Sequence, residues 1–164
     1  MPLELRKAQP EDFRALEQML ELYQYELSDI WHQELDDQGR YGYDLARHKE
    51  GTRFHAHVAL EGGHYAGFAL VAPAAVTHTD GSWMEQFFVL KRHRRSGTGG
   101  ALARHVFKSH PGPWEVGQMP ANLAAQAFWR KVIAEVTAGR FTEVQVTEGW
   151  WQGVVQSFHV QSAV

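Results

Sequence analysis

The sequence contains no cysteine among its 164 residues. Disulfide bonds, thiolate metal sites and a cysteine nucleophile are therefore excluded. Long apolar runs are missing as well: residues 1–7 have no apolar signal core, and no stretch approaches the length of a membrane span. The formal net charge of −3 argues against general nucleic-acid binding. We therefore expect a cytoplasmic protein that binds neither a membrane nor nucleic acid.

The composition favours a single folded domain over residues 1–164. Apolar residues make up 44% of the chain, which is enough for a substantial core at this length. No internal repeat, low-complexity segment or linker divides it. Strand and helix patterns alternate along the chain, so we expect the fold class α/β, of the mixed α+β type.

Local patterns predict the secondary structure. Apolar stretches bounded by turn signals predict strands, at residues 3–7, 54–60, 64–71, 83–90, 113–119, 140–146 and 153–160. Apolar residues at helical spacing predict helices, at residues 10–27, 101–107 and 122–137. Turn signals at residues 61–63 and 79–81 make the second, third and fourth strands antiparallel neighbours.

Residues 91–100 combine cations and glycines in one turn between a strand and a helix. Glycine lets the backbone approach a ligand closely, and the free amides at a helix start favour an anion. Neighbouring arginines add charge-assisted hydrogen bonds to phosphate. The turn is therefore interpreted as a pyrophosphate cradle, with a plain turn and tight helix packing as the alternative.

Two common phosphate-binding loops do not match this turn. The nucleoside-triphosphate loop requires a Lys-Ser or Lys-Thr pair after its glycines, and none follows here. The dinucleotide loop requires three spaced glycines early in a strand–helix–strand unit and an acidic residue on the second strand. Neither class of nucleotide site is predicted.

The pattern Arg94-x-x-Gly97-x-Gly99, after a strand that ends near Val89, resembles the acetyl-CoA motif Gln/Arg-x-x-Gly-x-Gly/Ala of the GNAT superfamily of N-acetyltransferases. Downstream, the chain carries a second pattern that resembles another signature of that family, Asn-x-x-Ala-x-x-Phe-Tyr-x-Lys. Its residues here are Asn122, Ala125, Phe128, Trp129 and Lys131.

The resemblance implies a GNAT-like fold, with a central, mostly antiparallel twisted sheet of about six to seven strands flanked by helices. It implies acetyl-CoA as cofactor and a main-chain N–H near Val89 that polarises the thioester carbonyl. The implied cofactor-binding residues are Phe87, Phe88, Val89, Arg94, Arg95, Ser96, Gly97, Thr98, Gly99, Gly100, Asn122 and Phe128. No metal is implied.

Glu85 is the candidate general base, since some members of this family place a base on this strand. It precedes Val89 by an even number of residues, so without a bulge both lie on one strand face. Half-burial among Trp83, Phe87 and Phe88 would make the carboxylate more basic. A structural glutamate that is hydrogen-bonded across the sheet is the alternative.

The chain departs from the family pattern at three positions. Trp129 stands where many members have a tyrosine that acts as general acid, and an indole cannot release a proton at neutral pH. Tyr65, a histidine or water would then protonate the thiolate, or the thiolate leaves unassisted. Lys91 and Arg95 replace a common proline and glycine, and both add positive charge.

The acceptor is less well indicated. Residues 28–50 mix acids with aromatic residues, which would suit a cationic amine, but a solvated acidic loop is the alternative. Three positions are open for Trp150 and Trp151: the entrance to the acceptor site, a hinge, or the core. The resemblance implies an amine on a small molecule or a peptide, and a homodimer through the last hairpin.

His55 and His57 alternate on one strand and share a face, which is compatible with two metal ligands. No third ligand follows from the spacing, so we interpret them as paired surface or groove histidines.

Three functions fit these observations. The first is an acetyl-CoA-dependent N-acetyltransferase that acts by direct attack in a ternary complex. The absence of the tyrosine suggests the second, a non-catalytic CoA-binding or sensing module. The third is a protein-interaction domain whose glycine turn is structural.

Overall fold

A computed structural model describes residues 2–74, 76–78 and 80–162. Over these residues the chain forms seven strands: β1 (Leu3–Lys7), β2 (His55–Glu61), β3 (His64–Pro73), β4 (Ser82–Val89), β5 (Gly112–Gln118), β6 (Phe141–Val146) and β7 (Gly153–Val160). The α-helices are α1 (Phe13–Glu26), α2 (Ala46–Glu50), α3 (Thr98–Ser109) and α4 (Leu123–Thr137). Short 3₁₀ turns at Pro10–Asp12 and Lys91–His93 precede α1 and α3.

The seven strands form one sheet in the order β1-β2-β3-β4-β5-β7-β6. Every neighbouring pair is antiparallel except β4 and β5, which run parallel. The predicted fold class, a mostly antiparallel sheet of six to seven strands flanked by helices, is confirmed. No helix in the described part of the chain has the length and apolarity that a membrane span requires.

Helix α1 covers one face of the sheet. It begins after a turn in which the Asp12 carboxylate accepts a hydrogen bond from the amide of Gln9 at 2.7 Å, as expected of an acid at a helix start. Phe13, Leu16 and Leu20 recur every three to four residues and are all buried. They pack with residues of β2, β3 and β4 in one of the two cores.

Helices α3 and α4 cover the opposite face. Leu102 and Phe107 of α3 pack with Trp129 and Ile133 of α4 against β2 to β5 and β7. The helix α4 ends where a stop was predicted: Ala138 and Gly139 both adopt positive φ, and the Gly139 amide donates to an earlier carbonyl. The sheet therefore separates two cores with different helices.

The parallel pair β4 and β5 separates along its length. Only the first two residues of β4 are paired with β5, Ser82 with Trp114 and Trp83 with Glu115. Beyond these pairs β4 continues to Val89 and β5 to Gln118 without further pairing. The unpaired part of the two strands, between these pairs and the glycine-rich turn that follows β4, is here called the β4–β5 opening.

Two details differ from the sequence-based expectations. Residues 28–45 are irregular as expected, but α2 follows them and was not predicted. In the predicted turn at residues 79–81, Thr79 lies outside the described residues. Gly81 adopts φ +99°, and its carbonyl accepts the amide of Ala74 at 3.0 Å, so the chain does reverse there.

Candidate active site

The glycine-rich turn forms a cradle of free amides at the start of α3. Arg95 and Gly97 adopt positive φ, +63° and +86°, and Gly97 is the N-cap of the helix. The first amide after Arg94 that donates to a protein acceptor is that of Ala101, to the Gly97 carbonyl at 3.0 Å. Within the described residues the amides of residues 95–100 thus remain available to an anion.

Contacts of His93 and Thr98 with Glu61 stabilise this turn. The ring of His93 lies 2.8 Å from the carboxylate of Glu61 at the end of β2, and the hydroxyl of Thr98 donates to the same carboxylate. Together, the hydrogen bonds from Thr98 and His93 hold the pKa of Glu61 below its usual value. Thr98 is almost fully buried, so its hydroxyl supports the turn and only its amide faces the cradle.

The side chain of Arg94 points away from the cradle. Its Nε donates to the carbonyl of Val89 at 2.7 Å, and its Nη2 contacts the carboxylate of Glu26 in α1 at 2.8 and 2.9 Å. The guanidinium also lies over the ring of Phe88. Arg94 was predicted to hold the pyrophosphate, and here it ties the turn to β4 and α1.

Three exposed cations surround the cradle. Lys91, Arg92 and Arg95 are all exposed, and none forms an ion pair with another described residue. The positive φ of Arg95 accounts for the glycine that is common at its position. These cations and the free amides together fit a diphosphate.

Helix α4 borders the β4–β5 opening next to the cradle. A Cβ at Gly99 would lie 3.2 Å from the ring of Phe128 and 3.6 Å from a methyl of Val89, so the backbone of the turn closely approaches both side chains. Phe128 in turn lies 5.7 Å from the ring of Phe87. Asn122 caps α4 by accepting the amide of Ala125 at 3.2 Å. Phe87, Val89, Gly99 and Phe128 are therefore neighbours beside the cradle, and Asn122 marks the start of α4.

The side chain of Phe88 has a different place from those of Phe87 and Val89. It is buried with α1 on the opposite face of the sheet. Only the main chain of Phe88 can therefore border the opening, which agrees with the main-chain role predicted for it.

A bulge in β4 redirects Glu85. The register places Leu70 opposite Gln86 and Val71 opposite Met84, which leaves Glu85 as the extra residue. Glu85 therefore does not share the face of Val89, which was expected for a strand without a bulge. Glu85 faces the side of α2, where its Oε1 lies 2.6 Å from Nε2 of His48.

Tyr43 completes the surroundings of Glu85. Burial, and secondarily the charge of Glu85, raises the pKa of the Tyr43 phenol well above its usual value. The hydroxyl of Tyr43 also lies 3.4 Å from the amide nitrogen of Gln86. The candidate base is thus flanked by His48 and Tyr43. Neither residue was predicted as a partner of Glu85, because the bulge and the position of α2 carry no signal in the sequence.

Trp129, at the position of the family's tyrosine, and Tyr65, a candidate proton donor, are both engaged in other contacts. Trp129 is buried and packs against Phe87 at 4.8 Å and Phe128 at 5.0 Å between ring centroids. Tyr65 donates to Asp12 at 2.5 Å, and this hydrogen bond raises the pKa of the Tyr65 phenol. Tyr65 therefore lies in a structural network rather than in the opening.

His55 and His57 were predicted as a pair of surface or groove histidines, and the two differ: His55 is partly exposed and lines a cavity, whereas His57 is buried. His57 is fully buried between His105, at 3.2 Å from its Nδ1, and His110, at 2.9 Å from its Nε2. Because the two neighbours contact opposite ring nitrogens, the three rings form a chain and do not converge on one point. No group of three or more potential metal ligands is arranged around a common point within the described ranges.

The acidic stretch forms its own loop contacts. Asp36 accepts the amides of Gln38 and Arg40 at 2.8 and 2.9 Å, and Glu21 accepts those of Tyr41 and Gly42, both at 2.8 Å. These carboxylates stabilise the loop, as in the alternative of a solvated acidic loop.

The two C-terminal tryptophans take different positions. Trp151 packs at the closed end of the β4–β5 opening, 5.2 Å from the ring of Trp83 and against Gly117. Trp150 is largely exposed, with its ring 6.2 Å from that of Trp83. Trp151 is therefore a packing residue, and Trp150 lies at the surface beside it.

A model of the acetyltransferase (GNAT) family matches residues 16–133 of the chain. The chain belongs to this family. The family assignment that the two motifs predicted is thus confirmed. Acetyl-CoA is the acetyl donor of GNAT enzymes, and the cradle of free amides and unpaired cations fits its diphosphate. No curated protein matches the sequence.

Solved structures share the fold at low identity. An acetyltransferase from Thermus thermophilus is 16% identical over 98% of both chains, with a TM-score of 0.69. The PaiA N-acetyltransferase from Thermoplasma acidophilum, in complex with coenzyme A, is 14% identical over 97% of this chain and 99% of its own, with a TM-score of 0.67. The ribosomal-protein-S18-alanine N-acetyltransferase from Escherichia coli is 12% identical over 99% and 97%, with a TM-score of 0.65.

Proposed function

We propose that this protein transfers an acetyl group from acetyl-CoA to a primary amine of a small molecule or peptide, by direct attack in a ternary complex. The observation that supports it best is the cradle of free amides at residues 95–100, which leads directly into the β4–β5 opening. A diphosphate in the cradle would direct the rest of the cofactor along β4, toward the bulge at Glu85.

The cofactor would be held mainly by main-chain groups. The amides of Ser96, Gly97, Thr98, Gly99 and Gly100 would bind the diphosphate, with Arg95 supplying charge. Arg94 would act indirectly, by fixing the turn against Val89 and Glu26. The pantetheine arm would lie along the main chain of residues 87–89, with Phe128 beside it and Asn122 at the start of α4.

Two groups would act on the reacting atoms. The acetyl thioester supplies an activated carbonyl, and the amide of Val89 would donate to its oxygen. Glu85 would accept the proton of the attacking amine, directly or through a water. Trp129 cannot protonate the departing thiolate, and Tyr65 is engaged by Asp12. Either water or a histidine then protonates the thiolate, or the thiolate leaves without being protonated.

The acceptor would approach Glu85 from the side of Tyr43 and α2. An amine is the acceptor class indicated by similar proteins, which include the alanine N-acetyltransferase above and an aminoglycoside acetyltransferase, meta-AAC0020, solved with sisomicin. A cationic amine suits the carboxylate of Glu85 and the aromatic ring of Tyr43. A cytoplasmic location and a homodimer through the β6–β7 hairpin remain predictions.

The first experiment is isothermal titration with acetyl-CoA and with CoA, followed by a screen of amines for thiol release. We expect micromolar binding and turnover with at least one amine class. Binding without turnover across the screen would favour the CoA-sensing module that the buried Trp129 suggests. No binding at millimolar ligand would contradict the cofactor site and favour an interaction domain.

A further inference from the structure

His48 is a buried histidine that contacts Glu85, and it has no role in the reaction proposed above. Its side chain is 0% exposed and that of Glu85 is 17% exposed. Its Nε2 lies 2.6 Å from Oε1 of Glu85, within hydrogen-bond distance of the carboxylate. The enclosed ring thus contacts a carboxylate that solvent can still reach.

The surroundings of His48 determine which nitrogen carries the proton. Its Nδ1 is buried and has no hydrogen-bond partner among the described residues. A proton on Nδ1 would leave a buried donor unsatisfied, whereas a proton on Nε2 is donated to Glu85. The neutral ring is therefore an Nε2–H donor to the carboxylate.

The position of this ring is fixed by its own element. Helix α2 starts after the carboxylate of Asp44 accepts the amide of Ala46 at 2.9 Å, and Gly51 ends it in the left-handed conformation. Phe54 packs edge-on against the His48 ring, 5.4 Å between centroids. A ring that is held on several sides can fix the orientation of its partner.

We propose that His48 is the positioning residue of Glu85: its Nε2–H holds Oε1 of the carboxylate and leaves Oε2 directed toward the acceptor amine. This rests on the proposed role of Glu85 as general base. The bulge in β4 is what brings the two together, because a regular strand would direct Glu85 to the face of α3 and α4. His48 then acts through Glu85 without touching either substrate.

The kinetic test compares two amides at position 48. His48→Gln keeps an N–H near the position of Nε2, whereas His48→Asn places its amide near that of Nδ1, beyond reach of Glu85. With the best amine from the screen, we expect His48→Asn to lower kcat about ten- to a hundredfold, as loss of such supporting partners does. His48→Gln should recover most of that loss, and KM for acetyl-CoA should not change in either variant.

The control is His55→Gln. His48 and His55 both line a cavity of about 620 Å³ between α1, α2, β1 and β2. The ring of His55 packs against His110, and among the described residues it is His48 that contacts Glu85. We expect wild-type kcat from His55→Gln. In a Glu85→Gln background, His48→Asn should cause no further loss, because the two residues act as a unit. Additive losses would overturn the positioning role.

A spectroscopic test needs no turnover. In protein labelled with ¹⁵N-histidine, the His48 signals, assigned by their absence in His48→Gln, should show the Nε2–H tautomer with a low-field proton. Glu85→Ala should shift this proton upfield or lose it to exchange with water. An Nδ1–H tautomer, or a spectrum that Glu85→Ala leaves unchanged, would overturn the proposal.

The two proposals fail in different ways. If Glu85→Gln lowers kcat and His48→Asn does not, His48 is not a positioning residue and the base assignment stands. If Glu85→Gln retains wild-type kcat, the base assignment fails, and the positioning role fails with it even if the tautomer is as expected.

Discussion

The guanidinium of Arg94 and the carboxylate of Glu26 are joined through Nη2, at 2.8 and 2.9 Å from the two carboxylate oxygens. Arg94 also donates to the carbonyl of Val89. Both charged side chains are about one-third exposed, so the ion pair itself adds little to stability. Its effect is geometric: it fixes the cradle relative to the end of β4.

Arg94→Ala should therefore weaken acetyl-CoA binding more than the removal of one exposed cation near the cradle would. We expect a loss of about tenfold or more by isothermal titration, with little change in Tm. The matched control is Arg92→Ala, because Arg92 is an exposed cation near the same turn. Equal losses in the two variants would mean that Arg94 contributes only its charge.

Gly97→Asp should abolish the anion site. A side chain at Gly97 meets no atom within 4 Å, so the new carboxylate would project beside the free amides and repel the diphosphate. We expect acetyl-CoA affinity to fall at least about a hundredfold. Gly139→Asp is the control, since Gly139 also has positive φ and open space but lies after α4. Similar losses in both variants would indicate backbone strain and contradict the cradle.

The elements and their order could be predicted because their signals are local. Alternating apolar residues, glycine turns and helix caps act within a few residues of each other. The cradle was predictable for the same reason, since residues 91–100 are contiguous in the chain. Local chemistry thus sufficed to predict the fold class and to propose the candidate anion site.

The surroundings of Glu85 could not be predicted, because they depend on two long-range events. The bulge in β4 shifts Glu85 to the other face, and α2 brings His48 to it across 37 positions of sequence. The direction of the Arg94 side chain likewise depends on Glu26, 68 positions away. Such pairings are set by tertiary packing, which one sequence does not display.

Trp129→Tyr should not restore a general acid. Trp129 is buried, and its ring packs against Phe87, Phe107 and Phe128. A smaller ring would leave a cavity and an added hydroxyl among apolar side chains. We expect a loss of about 1–3 kcal/mol in the free energy of unfolding, measured by denaturant titration, and no rise in kcat. A clear gain in kcat would show that position 129 can reach the leaving thiolate.

The buried histidine chain should make the protein sensitive to acid. Burial, with the neighbouring histidines, lowers the pKa of His57 from 6.5 to about 3, and burial lowers that of His110 to about 4. Between these pKa values and 6.5 the unfolded chain binds more protons than the folded one. The stabilisation that the two neutral histidines contribute is therefore fully present above about pH 6.5 and is lost as the pH falls below it.

From pH 7 to pH 5, His57 alone should cost about 2 kcal/mol of the free energy of unfolding. His57→Gln removes the titrating group and keeps hydrogen-bonding atoms between His105 and His110. Between pH 7 and pH 5 the variant should therefore lose about 2 kcal/mol less of its free energy of unfolding than the wild type does. His64→Gln, at an exposed position, is the control and should follow the wild type. The free energy of unfolding is measured by urea titration. If all three proteins had the same pH dependence, the pKa of His57 would be the same in the folded and the unfolded chain. That result would contradict the effect expected from its position between His105 and His110.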